Sequence, residues 1–111
     1  MRDRKDDGVE WLRATQVPTN LPRPVVIVQG VWDLLHSGHM RVLFTARERA
    51  GKRGTVVCGM MSDRWLVKNG RKPVMNWVER ATALAYMPVD LLVEIDGEGD
   101  YVALVDLAMP D

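Results

Sequence analysis

The stretch VQGVWDLLHSGHMRVL, residues 28–43, carries both histidines of this 111-residue chain. An apolar run ends at Gly30, and helical spacing begins around Gly38. His36 and His39 sit between the two, three residues apart. A buried strand that breaks into a glycine-bounded turn and then into a helix is the opening unit of a parallel α/β sheet.

The elements on either side repeat that unit. VVIVQG (25–30) is β-branched and ends in glycine, as a buried strand does. In SGHMRVLFTARERAG (37–51), Met40, Leu43, Phe44 and Arg47 share one helical face and Gly51 supplies the stop. TVVCGM (55–60) reads as a second buried strand. SDRWLVKNGRKPVMN (62–76) reads as a loop with room for a helical turn. WVERATALAYM (77–87) suits a helix capped by Asn76. VDLLVEI (89–95) reads as a third strand, and DYVALVDLAMP (100–110) as a helix stopped by proline. The fold class is therefore α/β: a Rossmann-like parallel sheet with helices on both faces and right-handed crossovers. Residues 25–111 form this domain. Residues 1–24 precede it as a charged tail (1–8), a short helix over VEWLRATQV (9–17) and an extended proline-rich connector, PTNLPRP (18–24).

Fifteen basic residues balance fifteen acidic ones, and 47% of the chain is hydrophobic. Zero net charge argues against nucleic acid or anionic membrane as the partner of the whole surface. No run is long enough to span a bilayer, and no signal-type segment follows the charged start, so a cytoplasmic protein is expected. The single cysteine, Cys58, reads as a small buried thiol in a strand.

In sheets of this kind ligands bind beyond the C-terminal strand ends. QGVWDLLHSGH, MMSDRW and IDGEGD all fall there. Residues three apart on a helix share a face. Gly38 lets a ligand approach the backbone, and a helix N-terminus favours phosphate. The plain alternative is two polar residues at a helix start. Zinc would need further ligands, which a third histidine does not supply and Cys58, placed on a strand, does not reach. The turn also lacks the Gly-x-Gly-x-x-Gly pattern of dinucleotide-binding oxidoreductases.

The surrounding residues discriminate further. GVWDLLHSGH closely resembles the Gly-x-Phe-Asp-x-x-His-x-Gly-His motif of the cytidylyltransferase-like nucleotidyltransferases, with Trp32 in place of phenylalanine. MSDRWLVKNGRKPVMNWVER is similar to the family stretch running from Ser-Asp through a basic loop to Pro-Val and Glu-Arg. VDLLVEID and LAMPD resemble its next strand and the approach to the one after. The likeness covers roughly Val25 to Asp111.

This resemblance implies an enzyme that transfers a nucleotidyl group from a nucleoside triphosphate to a phosphorylated alcohol or sugar, releasing pyrophosphate. It implies in-line attack at the α-phosphate, with catalysis by positioning and charge stabilisation. His36 and His39 would bind the triphosphate, with Arg80 and the loop cations Lys68, Arg71 and Lys72 reaching phosphate. Gly30 and Val31 would approach through the backbone and Gly38 would make room. Asp33 would orient the turn. Trp32 and Trp65 are candidates to stack on a base or acceptor, and Ser62 and Asp63 open the second rim segment. Trp11 and Trp77 read as packing residues. Mg²⁺ would arrive with CTP or ATP, CTP being favoured by the likeness of KPVMNWVER to cytidylyltransferases. The spacing from VDLLVEID to AMPD also resembles heptose-phosphate adenylyltransferases. A homodimer is expected.

The family domain continues with another strand and an Ile-Ser-Thr-Thr segment, whereas this sequence stops at Asp111. That departure predicts an unpaired sheet edge and a site lacking one wall. It keeps a second function open, a non-catalytic nucleotide-binding or regulatory module on the same fold.

Overall fold

The computed structural model describes residues 9–111; the charged segment read as a tail lies outside them. Four parallel strands form one sheet. They are β1 (Glu10–Arg13), β2 (Val25–Gly30), β3 (Thr55–Met61) and β4 (Leu91–Ile95), in the order β1-β4-β3-β2. The helices are α1 (Ser37–Ala50), α2 (Asp63–Lys68), α3 (Trp77–Leu84) and α4 (Glu98–Ala108), with a 3-10 turn at Ala14–Gln16. No helix among the described residues is long and apolar enough to cross a membrane.

β3 explains the two-layered core. It pairs with β2 from Val25↔Thr55 to Gly30↔Met60, and with β4 from Val57↔Leu91 to Met61↔Ile95. Every one of its residues is buried. Side chains alternate across a strand, so Val56, Cys58 and Met60 join Leu43, Ala46, Ala81 and Leu84 on one face. Val57 and Met61 join Leu66, Leu104 and Ala108 on the other. Burial pushes the Cys58 thiol far above its ordinary range, so it is an inert packing group in this strand.

Several expectations change. The apolar spacing at Val9, Leu12 and Val17 predicts a helix, but Glu10–Arg13 is a strand parallel to β4, in register from Glu10↔Leu91 to Arg13↔Glu94. The outer edge of β4 offers this segment a ladder of backbone partners, and tertiary pairing outweighs weak local propensity. Only the 3-10 turn is helical. Trp11 is accordingly exposed rather than packed. The buried face of α1 is Leu43, Ala46 and Ala50; Phe44, expected on it, is 57% exposed. α4 also starts two residues earlier than the spacing predicts.

β1 thus covers one side of the sheet, and β2 is the outer strand on the other. At its start, Val25 N–H donates to Asp111 Oδ2 (2.7 Å) and its carbonyl accepts from Asp111 N–H (2.9 Å).

At this same end of the sheet, where β3 and β4 begin, Arg47 pairs with Asp90 and also donates to the carbonyls of Pro88, Gly51 and Gly54. Asp90 Oδ2 accepts in addition from Val56 N–H at 2.8 Å. These side chains are only 23% and 10% exposed, so loss of one partner strands a poorly solvated charge. Asp90→Ala should cost about 3 kcal/mol. Urea unfolding with an unchanged m-value checks this.

Candidate functional site

α1 begins immediately beyond the β2 turn, and its first amides lack intrahelical partners. The two histidines supply them. His36, the N-cap, is extended (φ −136°, ψ −178°). Its Nδ1 accepts from Gly38 N–H at 3.0 Å. His39 Nδ1 accepts in return from His36 N–H at 3.2 Å. This is the reciprocal logic of a capping box, built from imidazoles. A nitrogen that accepts a hydrogen bond carries no proton, so in each neutral ring the proton resides on Nε2. The cap therefore fixes both tautomers and leaves two Nε2–H donors free of the helix.

The rings lie together, with centroids 4.0 Å apart and planes inclined by 32°. Trp32 packs on His39 at 5.4 Å. His36 is exposed and His39 half-buried. Desolvation, and then the neighbouring His36, hold the His39 imidazole below its ordinary pKa of 6.5. A Cβ at Gly38 would come within 2.8 Å of His36 Cε1 and 3.1 Å of Nδ1. Gly38 thus makes room for the capping ring itself, a reason the sequence reading did not supply.

The turn before the histidines is strained. Trp32 (φ 56°) and Leu34 (φ 53°) both occupy the left-handed region, at a cost of roughly 1–2 kcal/mol each. Trp32 is buried rather than free to stack on a base; its indole Nε1–H donates to Gly59 O at 2.9 Å. Phenylalanine could not make that bond. Its ring also lies 3.2 Å from where a Cβ on Gly30 would stand.

The remaining candidate residues divide into those that hold the site and those that face solvent. Asp33 accepts from Val74 N–H (2.7 Å) and Met75 N–H (3.0 Å), tying the loop after α2 to the histidine turn. Ser62 is buried; it caps α2 through Trp65 N–H and donates to Asp96 Oδ1 at 2.5 Å. Asp63 accepts from Trp77 N–H at 3.0 Å and from Arg80 Nη2 at 2.6 Å. Arg80 is fully buried. Its guanidinium also donates to Met75 O (3.1 Å), Val31 O (2.8 Å) and Met61 O (2.8 Å). Lys68, at the end of α2, and Arg71 and Lys72, on the loop that Asp33 anchors, are exposed. Trp65 and Trp77 are half-buried.

A second rim feature was missed because residues 9–17 read as a helix. β1 brings Arg13 and Thr15 beside Arg64, Glu94, Asp96 and Asp100, around a polar cavity of about 220 Å³. Arg64 bonds to Asp96 and, with Ser62, holds that carboxyl below its usual range. No cluster of three or more metal-ligating side chains occurs among the described residues.

The site is thus a turn at the C-terminal rim of a parallel sheet, followed by a helix capped by two histidines. The family model described as Cytidylyltransferase-like matches residues 27–101, and the chain belongs to that family. It is 37% identical over 82 residues to a phosphopantetheine adenylyltransferase of Methanopyrus kandleri, covering 74% of this chain and 47% of that one. It is 34% identical over 88 residues to the bifunctional protein HldE of Rhodopseudomonas palustris, covering 78% of this chain and 17% of that one. The chain thus spans about half, or less, of these curated relatives. Among solved structures it resembles the lipopolysaccharide core biosynthesis protein of Thermoplasma volcanium GSS1. The TM-score is 0.65 and the identity 27%, over 78% of this chain and 69% of that one.

The depressed His39 value has a definite consequence. Between that value and 6.5 the unfolded chain binds more protons than the folded one, so stability contributed by neutral His39 is full above pH 6.5 and is lost as pH falls through the folded value. A histidine-resolved NMR titration should show His39 titrating below 6.5. His36→Asn should move it part of the way back up, because desolvation, the larger cause, remains.

Proposed function

We propose that this chain carries the nucleotidyl-transfer site of an enzyme acting on a phosphorylated alcohol or sugar. An acceptor phosphate oxygen attacks the α-phosphorus of a nucleoside triphosphate in line. The bond from that phosphorus to the bridging oxygen breaks, and pyrophosphate leaves with the electron pair. The observation that carries this reading is the pair of imidazoles whose Nδ1 atoms are committed to the helix cap. Their Nε2–H groups are oriented donors for the oxygens on which charge develops, and preorganised donors of this kind need no reorganisation at the transition state.

Lys68, Arg71 and Lys72 are the cations available to the β- and γ-phosphates. Magnesium would arrive with the substrate as the triphosphate complex. The polar cavity between the ends of β1 and β4 offers space for a polar acceptor. It lies two strands from the histidine turn, roughly 10 Å at the usual strand spacing. The adenylyltransferase name of the Methanopyrus relative supports ATP as the donor, over the CTP that KPVMNWVER favours. A nucleotide-binding module without turnover on the same fold is the alternative reading.

Pyrophosphate release from Mg²⁺–ATP and Mg²⁺–CTP, against a panel of phosphorylated alcohols and sugars, tests both. The enzyme reading expects release that depends on one acceptor and falls about 100- to 1,000-fold in His36→Ala and in His39→Ala. A raised melting temperature with nucleotide, and no release with any acceptor, would favour the module.

A further inference from the structure

The end of the rim farthest from the histidines is built by a segment outside the family match. Arg13 and Thr15 precede residues 27–101, which the Cytidylyltransferase-like model covers. β1 brings them to the rim because it runs parallel to β4, in register from Glu10↔Leu91 to Arg13↔Glu94. Residues opposite one another on neighbouring strands project to the same face. Arg13 and Glu94 are such a pair, and both line the polar cavity of about 220 Å³.

The charges around that cavity fall into two groups. Arg64 is paired with Asp96, whose carboxyl also accepts from Ser62. Asp100 accepts from Asp96 N–H at 2.8 Å. These three side chains are engaged within the protein. Arg13 and Glu94 differ: neither is ion-paired among the described residues, although they are register neighbours. Arg13 is exposed and Glu94 half-buried. A guanidinium offers only donors and a carboxylate only acceptors. Hydroxyl groups answer both, donating to Glu94 and accepting from Arg13. A carboxylate in their place would meet Glu94 at like charge, and an ammonium would meet Arg13.

Reach sets the size of the molecule. The histidine turn follows β2, two strands beyond β4 in the order β1-β4-β3-β2, which is roughly 10 Å at the usual spacing. The reacting phosphate belongs beside the histidines, so the cavity receives the opposite end of the acceptor. With single bonds near 1.5 Å and about 1.3 Å of reach per bond, the chain from phosphorus to the far oxygen of a six-carbon phosphate spans roughly 10 Å, and that of glycerol phosphate about 6 Å.

We infer that Arg13 and Glu94 are specificity-determining residues, which hold the far hydroxyls of an acceptor at least as long as a six-carbon sugar or polyol phosphate. This rests on the nucleotidyl-transfer reading and adds to it the acceptor's length, its uncharged hydroxylated end and the two side chains that select it.

The test is a titration of the native chain, followed by NMR at Arg13 Nε–H, Thr15 N–H and the two histidine Nε2 signals. The probes are sorbitol 6-phosphate, the shorter glycerol 3-phosphate, and 6-phosphogluconate, which matches the first in length but ends in a carboxylate. Sorbitol 6-phosphate should shift the Arg13 and Thr15 signals and bind about 10- to 100-fold tighter than either of the others, the range that hydrogen bonds to charged groups provide. In Arg13→Gln and in Glu94→Gln this preference should shrink about 10-fold. Glycerol 3-phosphate should bind both variants as it binds the native chain, because its chain ends short of the cavity. A silent Arg13 signal, equal affinities for the three probes, or a preference that survives either substitution overturns the inference. Mg²⁺ with inorganic tripolyphosphate, titrated separately, distinguishes the two failures. Histidine Nε2 signals that move with it leave the nucleotidyl-transfer reading standing, and silence there as well overturns both.

Discussion

A helix that starts just beyond a strand leaves its first amides without partners, and in this chain two imidazole nitrogens take that place. The rest of the site follows from that bond pair. Because Nδ1 of each ring is occupied by the backbone, the proton sits on Nε2 and the ring plane is set by the helix. The two interpretations a histidine pair invites, a helix cap or a ligand site, are therefore compatible: each ring gives one nitrogen to the fold and leaves the other free of the helix. Gly38 belongs to the same arrangement, since a side chain there would collide with the His36 ring.

Around that turn the protein uses charge as internal scaffolding. Asp33 grips two amides of the loop that carries Arg71 and Lys72, Asp63 grips the first amide of α3, and Arg80 lies beneath, bonded to three backbone carbonyls. Each is a polar side chain whose partners are mostly main-chain groups from segments distant in sequence. Such contacts fix loop geometry with little reliance on the packing of long side chains, which suits a surface that must present donors at fixed positions. Trp32 serves in the same way. Its indole is anchored on Gly59 and its ring supports His39.

Much of this was legible in the sequence. β2, β3 and β4 announce themselves as β-branched runs, and three of the four helices follow from spacing and caps. The histidine motif marks the rim because local residues build it. What was not legible depends on distant partners. Glu10–Arg13 has too few residues for its alternation to outweigh helical spacing, and only the edge of β4 makes it a strand. Arg80 reads as a surface cation in WVERATAL, and nothing local reveals that carbonyls from Val31, Met61 and Met75 converge on it. Phe44 shares a helical face with Leu43 on paper, but the sheet meets the helix along Leu43, Ala46 and Ala50 instead. That a side chain at Gly38 would collide with the His36 ring is likewise set by the folded turn rather than by the motif's spelling.

The central claim is that both histidines present Nε2–H because the backbone occupies Nδ1. Long-range ¹H–¹⁵N correlation of the imidazole rings at pH 7.5 tests it most directly, with and without a non-hydrolysable triphosphate analogue. The account predicts the Nε2–H tautomer for His36 and His39 in the free protein, with both Nε2 signals moving when the analogue binds. An Nδ1–H tautomer in either ring, or Nε2 signals indifferent to a bound triphosphate, would contradict it.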